Sequence, residues 1–86
     1  MTLPTRRIVL TGHARRRMKS RGITEQDVSI TLYHPNSTSR TPEPSVCYTR
    51  LMSSGRSLKV WIVEEPTGPL DPFIVKSAAW KGEADE

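Results

Sequence analysis

The segment TGHARRRMKSRGIT, residues 11–24, concentrates side chains that could handle a phosphate group. It contains the imidazole of His13, no acidic residue, and five basic residues: Arg15, Arg16, Arg17, Lys19 and Arg21. An imidazole can give or take a proton near neutral pH, and a guanidinium group can bind two phosphate oxygens at once. The segment therefore indicates either a site for phosphate chemistry or the solvated face of a basic helix.

A helix is predicted in this segment because Thr11 or Gly12 can cap its start and Gly22 suits a left-handed residue after its end. Successive helical residues are rotated by about 100°, so Ala14 and Met18 form the stripe that faces the core. The histidine and the cations then divide into two sets. Those beside the stripe, the margin set, are His13, Arg17 and Arg21. Those farther round the helix, the outer set, are Arg15, Arg16 and Lys19.

Each set has two interpretations. A margin residue is half desolvated, so it needs a partner, which is either a phosphate or an internal group. For Arg21 the internal interpretation is a tie from the helix to the sheet or to a helix end, and for His13 it is capping or packing. The outer set either attracts the backbone of a nucleic acid or only keeps this face solvated.

Two later segments have the period of two that predicts strands. In SLKVWIVE, three aliphatic residues that predict a core face alternate with Lys59, Trp61 and Val63. Lys59 and Trp61 share the other face, where they suit a phosphate and a stacked base, or else form a solvated lysine and a minor packing cluster. In FIVKSAAW, Ser77 is in phase with residues that predict a largely buried face: Phe73, Val75 and Ala79. We therefore expect Ser77 on that face, as a hydrogen-bonded core serine or as a polar site residue.

The whole pattern predicts one α+β domain over residues 1–86, with its core at about 8–80. The second helix begins with a capping box in TEQD, at Thr24 and Asp27, and ends near residue 33 because Pro35 follows. A proline-rich loop at 35–45 and a frayed tail at 81–86 are predicted, with strands at 6–10, 46–52, 57–64 and 73–80. The order β-α-α-β-β-β implies two N-terminal helices packed on one face of a small, mainly antiparallel sheet.

The charge of the chain is one-sided. Residues 1–22 carry seven basic residues and no acid, whereas residues 23–86 carry six basic and nine acidic residues. Such a basic end attracts polyanions, which makes nucleic acid the first candidate partner. An anionic membrane is a weaker candidate, because the basic helix lacks the bulky apolar face that would anchor it.

Other classes of protein are disfavoured by what the chain lacks. The lone Cys47 cannot form an internal disulfide, no apolar run approaches the roughly 20 residues that span a bilayer, and the N-terminus has no signal-peptide pattern. We therefore expect a cytoplasmic protein that is not bound to membranes. His13 and His34 are far apart in sequence, Cys47 has no partner at a metal-ligand spacing, and no acidic pair suggests two-metal nuclease chemistry, so no metal site and no cofactor is predicted.

The motif HARRRMKSRGITEQDVSITLYHP, followed by GRSLKVWIVEE and a closing strand with a terminal aromatic, resembles a bacterial and phage domain family of unknown function. The pattern, roughly H-A-x-x-R-M-x-x-R-G-I-[ST]-x-x-x-[VI], covers about residues 8–80. The family resembles a branch of the barnase, EndoU, colicin and RelE-like superfamily near the BrnT-type toxins, so the resemblance implies a RelE-like fold. It marks as functional positions His13, Arg17 and Arg21, and as structural ones Met18, Gly22 and Ile23. It also places polar site residues at Lys59 and Ser77.

The resemblance implies a metal-independent ribonuclease of toxin–antitoxin type, in which the 2′-hydroxyl of RNA attacks the adjacent phosphate. In this hypothesis His13 is the general acid or base, Arg17 clamps the phosphate, and Lys59 and Arg21 supply further cations. Two alternatives stay open: a small module that binds nucleic acid or a partner without chemistry, and a toxin-like inhibitor of a protein target. A cognate antitoxin and a homodimer are the candidate protein partners.

Overall fold

The structure is a computed structural model that describes residues 7–42, 45–64, 68 and 71–82. Two helices cover one face of a five-stranded sheet, which confirms the predicted α+β class. Residues 1–6, the start of the predicted first strand among them, and residues 83–86 of the predicted tail lie outside the described residues. The elements in chain order are β1 (Ile8–Leu10), α1 (Gly12–Arg21), α2 (Glu25–Tyr33), β2 (Ser37–Arg40), β3 (Val46–Leu51), β4 (Ser57–Ile62) and β5 (Phe73–Trp80).

Both helices begin at the hydroxyl side chains that the sequence indicates. The hydroxyl of Thr11 accepts a hydrogen bond from the backbone N–H of Ala14 at 3.1 Å and caps α1. At the start of α2, Thr24 and Asp27 form the predicted capping box, each side chain accepting from the other residue's backbone N–H. Gly22 ends α1 with φ of +67°, a left-handed conformation that favours glycine.

The sheet has the strand order β1-β5-β4-β3-β2, with β1 parallel to β5 and every other pair antiparallel. Because β1 pairs only with Phe73–Val75, none of the described residues forms a strand beside the rest of β5 on that side. Both ends of α1 are tied to β5. At the start, the N–H of Thr11 donates to the carbonyl of Val75 at 3.2 Å, and at the end, the indole N–H of Trp80 donates to the carbonyl of Arg21 at 2.9 Å.

The core lies between the helices and the sheet. Ala14 and Met18 of α1 are buried in it, as the helical rotation predicts. The rings of Tyr33 and Tyr48 both pack edge-on against Phe73, with centroids 5.7 and 5.9 Å away. Burial of each large aliphatic side chain contributes about 1.5–3 kcal/mol, and these side chains are wholly buried: Val28, Val46, Leu58, Val60, Ile62 and Val75.

The prediction of a loop over residues 35–45 is wrong for Ser37–Arg40, which form β2. This strand is an edge strand, antiparallel to β3, and all four of its residues are exposed. With no buried face, the strand has no hydrophobic alternation that a sequence pattern could reveal. Its formation depends on the pairing with β3, which only the folded chain supplies.

The predicted phase of Ser77 is also wrong, because β5 contains a β-bulge. Ile62 of β4 pairs with Val75, whereas the adjacent Trp61 pairs with Ser77, so Lys76 is the extra residue. Beyond the bulge the pattern is inverted: Ala78 and Trp80 face the core, while Ser77 and Ala79 lie on the opposite face. Ser77 is buried, at 5% exposure, but on the sheet face that the helices do not cover.

Candidate nucleic-acid site

Along one side of α1, His13 and Arg17 are in direct contact. Their spacing of four residues stacks them on consecutive helical turns, and the Nε–H of Arg17 donates to Nε2 of His13 at 3.4 Å. Both side chains are half-buried, as expected beside the core-facing stripe. The contact therefore places an imidazole beside a guanidinium on one side of α1.

Arg21, the third residue of the margin set, ties α1 to the sheet. One terminal nitrogen of its guanidinium donates to the carbonyl of Ala78 at 2.8 Å, on the edge of β5 that no strand covers. The carbonyl of Arg21 accepts from the indole N–H of Trp80, so two hydrogen bonds join the end of α1 to the end of β5. The guanidinium of Arg56 lies 4.4 Å from the centroid of the Trp80 ring. The structure therefore contains the tie from the helix to the sheet that the internal interpretation of Arg21 predicts.

The outer set lies elsewhere on the helix and is exposed: Arg15, Arg16 and Lys19. Arg15 and Lys19 line a shallow groove of about 280 Å³ beside Leu10 and Glu25. A neighbouring groove of about 320 Å³ shares Leu10 and Glu25 and continues along β1 and α2. Neither of these two grooves is lined by the margin set. The two sets of cations therefore face different surroundings, as the helical rotation predicts.

On the sheet, the structure brings Lys59, Trp61 and Ser77 together on one face. Lys59 and Trp61 alternate with the buried Leu58, Val60 and Ile62 along β4, and the Lys59 ammonium lies 5.2 Å from the centroid of the Trp61 ring. Ser77 is the direct cross-strand partner of Trp61. This face is opposite the helices, so the predicted pairing of Lys59 with Trp61 is confirmed. The proximity of Ser77 was not predicted.

The two groups of candidate residues flank β5 from opposite sides. Arg21 of the margin set binds the edge of β5 beyond its pairing with β1, and Lys59 and Trp61 lie on β4, which pairs with the other edge of β5. The structure therefore separates the two groups: His13 and Arg17 lie on α1, whereas Lys59 and Trp61 lie on the sheet face that the helices do not cover.

Sequence reasoning missed the residues that fix this arrangement. Trp80 and the carbonyl of Ala78 hold the end of α1, and Lys76 forms the bulge that turns Ser77 towards Trp61. No local pattern in FIVKSAAW marks the bulge, because its position depends on the register with β4. In the sequence, the aromatic residue that ends the motif, Trp80, was the available sign that the end of α1 is attached to β5.

Within the described residues, no three histidine, cysteine or acidic side chains come together as a metal-binding group. No described helix combines the length and the apolar character that crossing a bilayer requires. The site residues that the structure does assemble are therefore cations, one imidazole, one aromatic ring and hydroxyl groups. These groups suit an anionic, aromatic polymer.

Residues 10–80 match the model of a protein family described as Domain of unknown function (DUF4258). The match agrees with the expectation that the chain belongs to a domain family of unknown function, and it spans both helices and the sheet from the end of β1 to the end of β5. No curated protein and no solved structure matches the chain.

Proposed function

We propose that this protein, which belongs to the DUF4258 family, is a metal-independent endoribonuclease of the toxin type. The observation that carries the proposal is the contact between His13 and Arg17, an imidazole and a guanidinium 3.4 Å apart on a half-buried helix margin. Such a pair combines a group that moves a proton with a group that binds a phosphate. The H-A-x-x-R-M motif supports a proposed kinship with RelE-like and BrnT-type toxins.

The proposed reaction uses the nucleophile that RNA itself provides. A base removes the proton of the 2′-hydroxyl, the 2′-oxygen bonds to the adjacent phosphorus, and the bond to the 5′-oxygen breaks as that oxygen takes a proton. The products are a 2′,3′-cyclic phosphate and a 5′-hydroxyl end. His13 serves as general acid or base through its imidazole, and Arg17 stabilises the negative charge that builds up on the phosphorane. Lys59, which the sequence also indicated as a catalytic cation, lies on the sheet face opposite the helices and is assigned to a neighbouring phosphate.

The contact between Arg17 and His13 is compatible with a clamp on the phosphate. A guanidinium has five N–H donors in one plane, and the contact to the imidazole uses only the Nε–H. A phosphate bound to the two terminal nitrogens would lie beside the same imidazole. Arg21 acts chiefly as a positioning residue, because its hydrogen bond to Ala78 holds the margin of α1 against β5.

The remaining cations are proposed to attract RNA and keep it in place. The N-terminal turn of α1 has no acidic residue, whereas that of α2 has Glu25 and Asp27, so the positive end of the α1 dipole is not offset by a carboxylate of its own first turn. We assign contacts with the RNA to one group of residues: Arg15, Arg16, Lys19, Arg21 and Trp61. Ser77, which the sequence also indicated as a contact, is buried beside Trp61 at 5% exposure. The proposed setting is the cytoplasm, with an acidic antitoxin as the protein partner and with a homodimer left open.

The test is incubation of the purified protein with RNA in the presence of a chelator. We expect cleavage that leaves 2′,3′-cyclic phosphate ends and that stops when the substrate carries 2′-O-methyl groups. His13→Ala should lower the rate by about 10²–10⁴-fold, the usual contribution of general acid–base catalysis. Arg40→Ala is the matched control, because Arg40 is exposed on the edge strand β2 and has no role in the proposed site.

Two results would end this proposal. One is the absence of cleavage by the folded wild-type protein over a range of RNA substrates. The other is cleavage that His13→Ala leaves unchanged, which would also identify a contaminating nuclease, since both proteins are purified in the same way. Circular dichroism of each variant shows that a lost activity does not come from a lost fold.

A second candidate function is a binding module without catalysis, which the exposure of the outer set favours. In that case RNA or DNA binding would be strongly salt-dependent, and Arg15, Arg16 and Lys19 would matter more than His13. Inhibition of a protein target is the third alternative, and growth inhibition without nucleic-acid binding would point to it. An acidic antitoxin encoded beside this chain would support a toxin of either kind.

A further inference from the structure

The sheet surface opposite the helices, which we call the open face, has an unusual distribution of side-chain sizes at its centre. Trp61 is flanked across the strands by Cys47 of β3 and Ser77 of β5. Lys59, two residues earlier on β4, is flanked by Thr49 and Ala79 in the same way. All four flanking residues are small, so no bulky cross-strand partner stands beside the aromatic ring or the lysine.

The burial of these residues agrees with that arrangement. Ser77 and Cys47 are 5% exposed and Ala79 is fully buried, whereas Trp61 and Lys59 are half-buried. The two large side chains are therefore what the centre of the open face presents to solvent. They are also in contact with each other, with the Lys59 ammonium 5.2 Å from the centroid of the indole ring.

The charge of this surface selects the class of ligand. Six residues form the centre of the open face: Cys47, Thr49, Lys59, Trp61, Ser77 and Ala79. None of them is acidic, and Lys59 is the charged residue among them. At one side this face ends at the edge of β5, where the guanidinium of Arg21 binds the carbonyl of Ala78. A flat aromatic group beside cations is complementary to a base with its phosphates.

We propose that the open face binds one unstacked base of single-stranded RNA on the ring of Trp61, with Lys59 on an adjoining phosphate. This inference rests on the proposed function, since it names the form of RNA that the same site accepts. A base inside a duplex is covered on both faces by its neighbours and cannot stack on a protein ring. Stacking on Trp61 therefore restricts the substrate to single strands and leaves the choice of base open.

An apolar protein segment is the competing occupant. Three exposed aliphatic residues continue the open face next to Trp61: Val9, Val63 and Ile74, at 40, 41 and 39% exposure. They would suit a protein partner, but they lie beyond Trp61 from Lys59, and the centre of the face offers a cation and hydroxyl groups rather than a continuous apolar surface. The observations at the centre favour the nucleic acid.

The experiment uses an RNA oligonucleotide with a 2′-O-methyl group at every position, so that binding is measured without cleavage. We expect the wild-type protein to bind the single strand more tightly than the matching duplex, with quenching of tryptophan fluorescence. Trp61→Ala should weaken single-strand binding by about 5- to 150-fold, the range for loss of one stacked base, and should leave duplex binding unchanged. Trp61→Phe should retain most of the affinity.

Two further measurements separate the fluorescence of Trp61 from that of Trp80 and the base contact of Trp61 from the phosphate contact of Lys59. Quenching that persists in Trp61→Phe comes from Trp80 and is subtracted. Lys59→Gln should lower the slope of log K against log salt by about 0.7, as expected for loss of one phosphate contact on a single strand. Lys59→Gln and Trp61→Phe both keep a large side chain. The lower salt slope of the first and the lost quenching of the second therefore test the proposal even if Trp61→Ala does not fold.

The outcomes for the two proposals are independent. Single-strand and duplex affinities that are equal, or a single-strand affinity that Trp61→Phe and Trp61→Ala both leave at the wild-type value, would overturn the base platform even where RNA is cleaved. Binding with the expected Trp61 dependence but without cleavage of unmodified RNA would support the platform and overturn the ribonuclease.

Discussion

The two sets of cations on α1 are chemically alike and only a few residues apart, yet the fold treats them differently. The outer set is exposed, and two of its members line a solvent groove with Glu25. In the margin set, Arg17 contacts an imidazole and Arg21 contacts a backbone carbonyl, and both are half-buried. The comparison shows that the position of an arginine relative to the core distinguishes a candidate catalytic residue from one that only attracts a polyanion. The number of arginines does not make this distinction.

The largest expected effect is on catalysis, from the margin set. Arg17→Ala should lower the rate of RNA cleavage by about 10²–10³-fold, because it removes donors aimed at the charge of the transition state. Single-turnover kinetics with saturating protein measures this rate. Arg16→Ala, one residue away on the exposed side, should stay within about twofold. Equal losses for the two variants would break the division between the sets.

The next effect is on stability, from Arg21. Arg21→Met keeps an apolar stem but removes the donor to the carbonyl of Ala78, so the free energy of unfolding should fall by about 1.5–3 kcal/mol. Urea denaturation measures it, with Arg15→Met as the exposed control, expected within about 0.5 kcal/mol of wild type. Unchanged stability together with lost cleavage would instead make Arg21 a contact to the substrate.

A smaller effect is expected where α1 begins. Thr11→Ala removes the oxygen that accepts from the N–H of Ala14, and loss of such a cap costs about 1 kcal/mol. Thermal or urea unfolding measures this change, and Ser20→Ala, near the other end of the helix and exposed, serves as the comparison. If both variants unfold alike, the hydroxyl of Thr11 does not stabilise the start of the helix that carries His13.

The smallest effect is expected for one member of the outer set. Arg16→Gln should lower the slope of log K against log salt by about 0.7, with cleavage at saturating RNA and the free energy of unfolding unchanged. Fluorescence titrations at several salt concentrations measure the slope. A slope equal to that of wild type would show that Arg16 is only a solvated residue, and would make the contrast with the margin set sharper.

Most of the fold could be predicted because its signals are local. The caps at Thr11 and Thr24, the glycine after α1, and the alternation along β4 all act within a few residues, and each is found as predicted. The edge strand β2 could not be predicted, since it buries no side chain and exists only through its hydrogen bonds to β3.

The candidate site could be predicted only in parts. The contact between His13 and Arg17 follows from their spacing on one helix, and the shared face of Lys59 and Trp61 follows from their spacing on one strand. The side of the sheet on which Ser77 lies could not be predicted, because the bulge at Lys76 arises from the register between β4 and β5. A shift of one residue in a strand moves every later side chain to the other face.

The sequence by itself therefore determined the two helices, the separation of the cations on α1 into two sets and the two faces of β4, because helical rotation and strand alternation are properties of neighbouring residues. Only the tertiary structure decided that α1 lies along the uncovered edge of β5, that Arg21 and Trp80 fasten it there, and that Ser77 joins Trp61. These features depend on hydrogen bonds between residues more than fifty positions apart or on strand register. Such contacts form only when the whole chain folds.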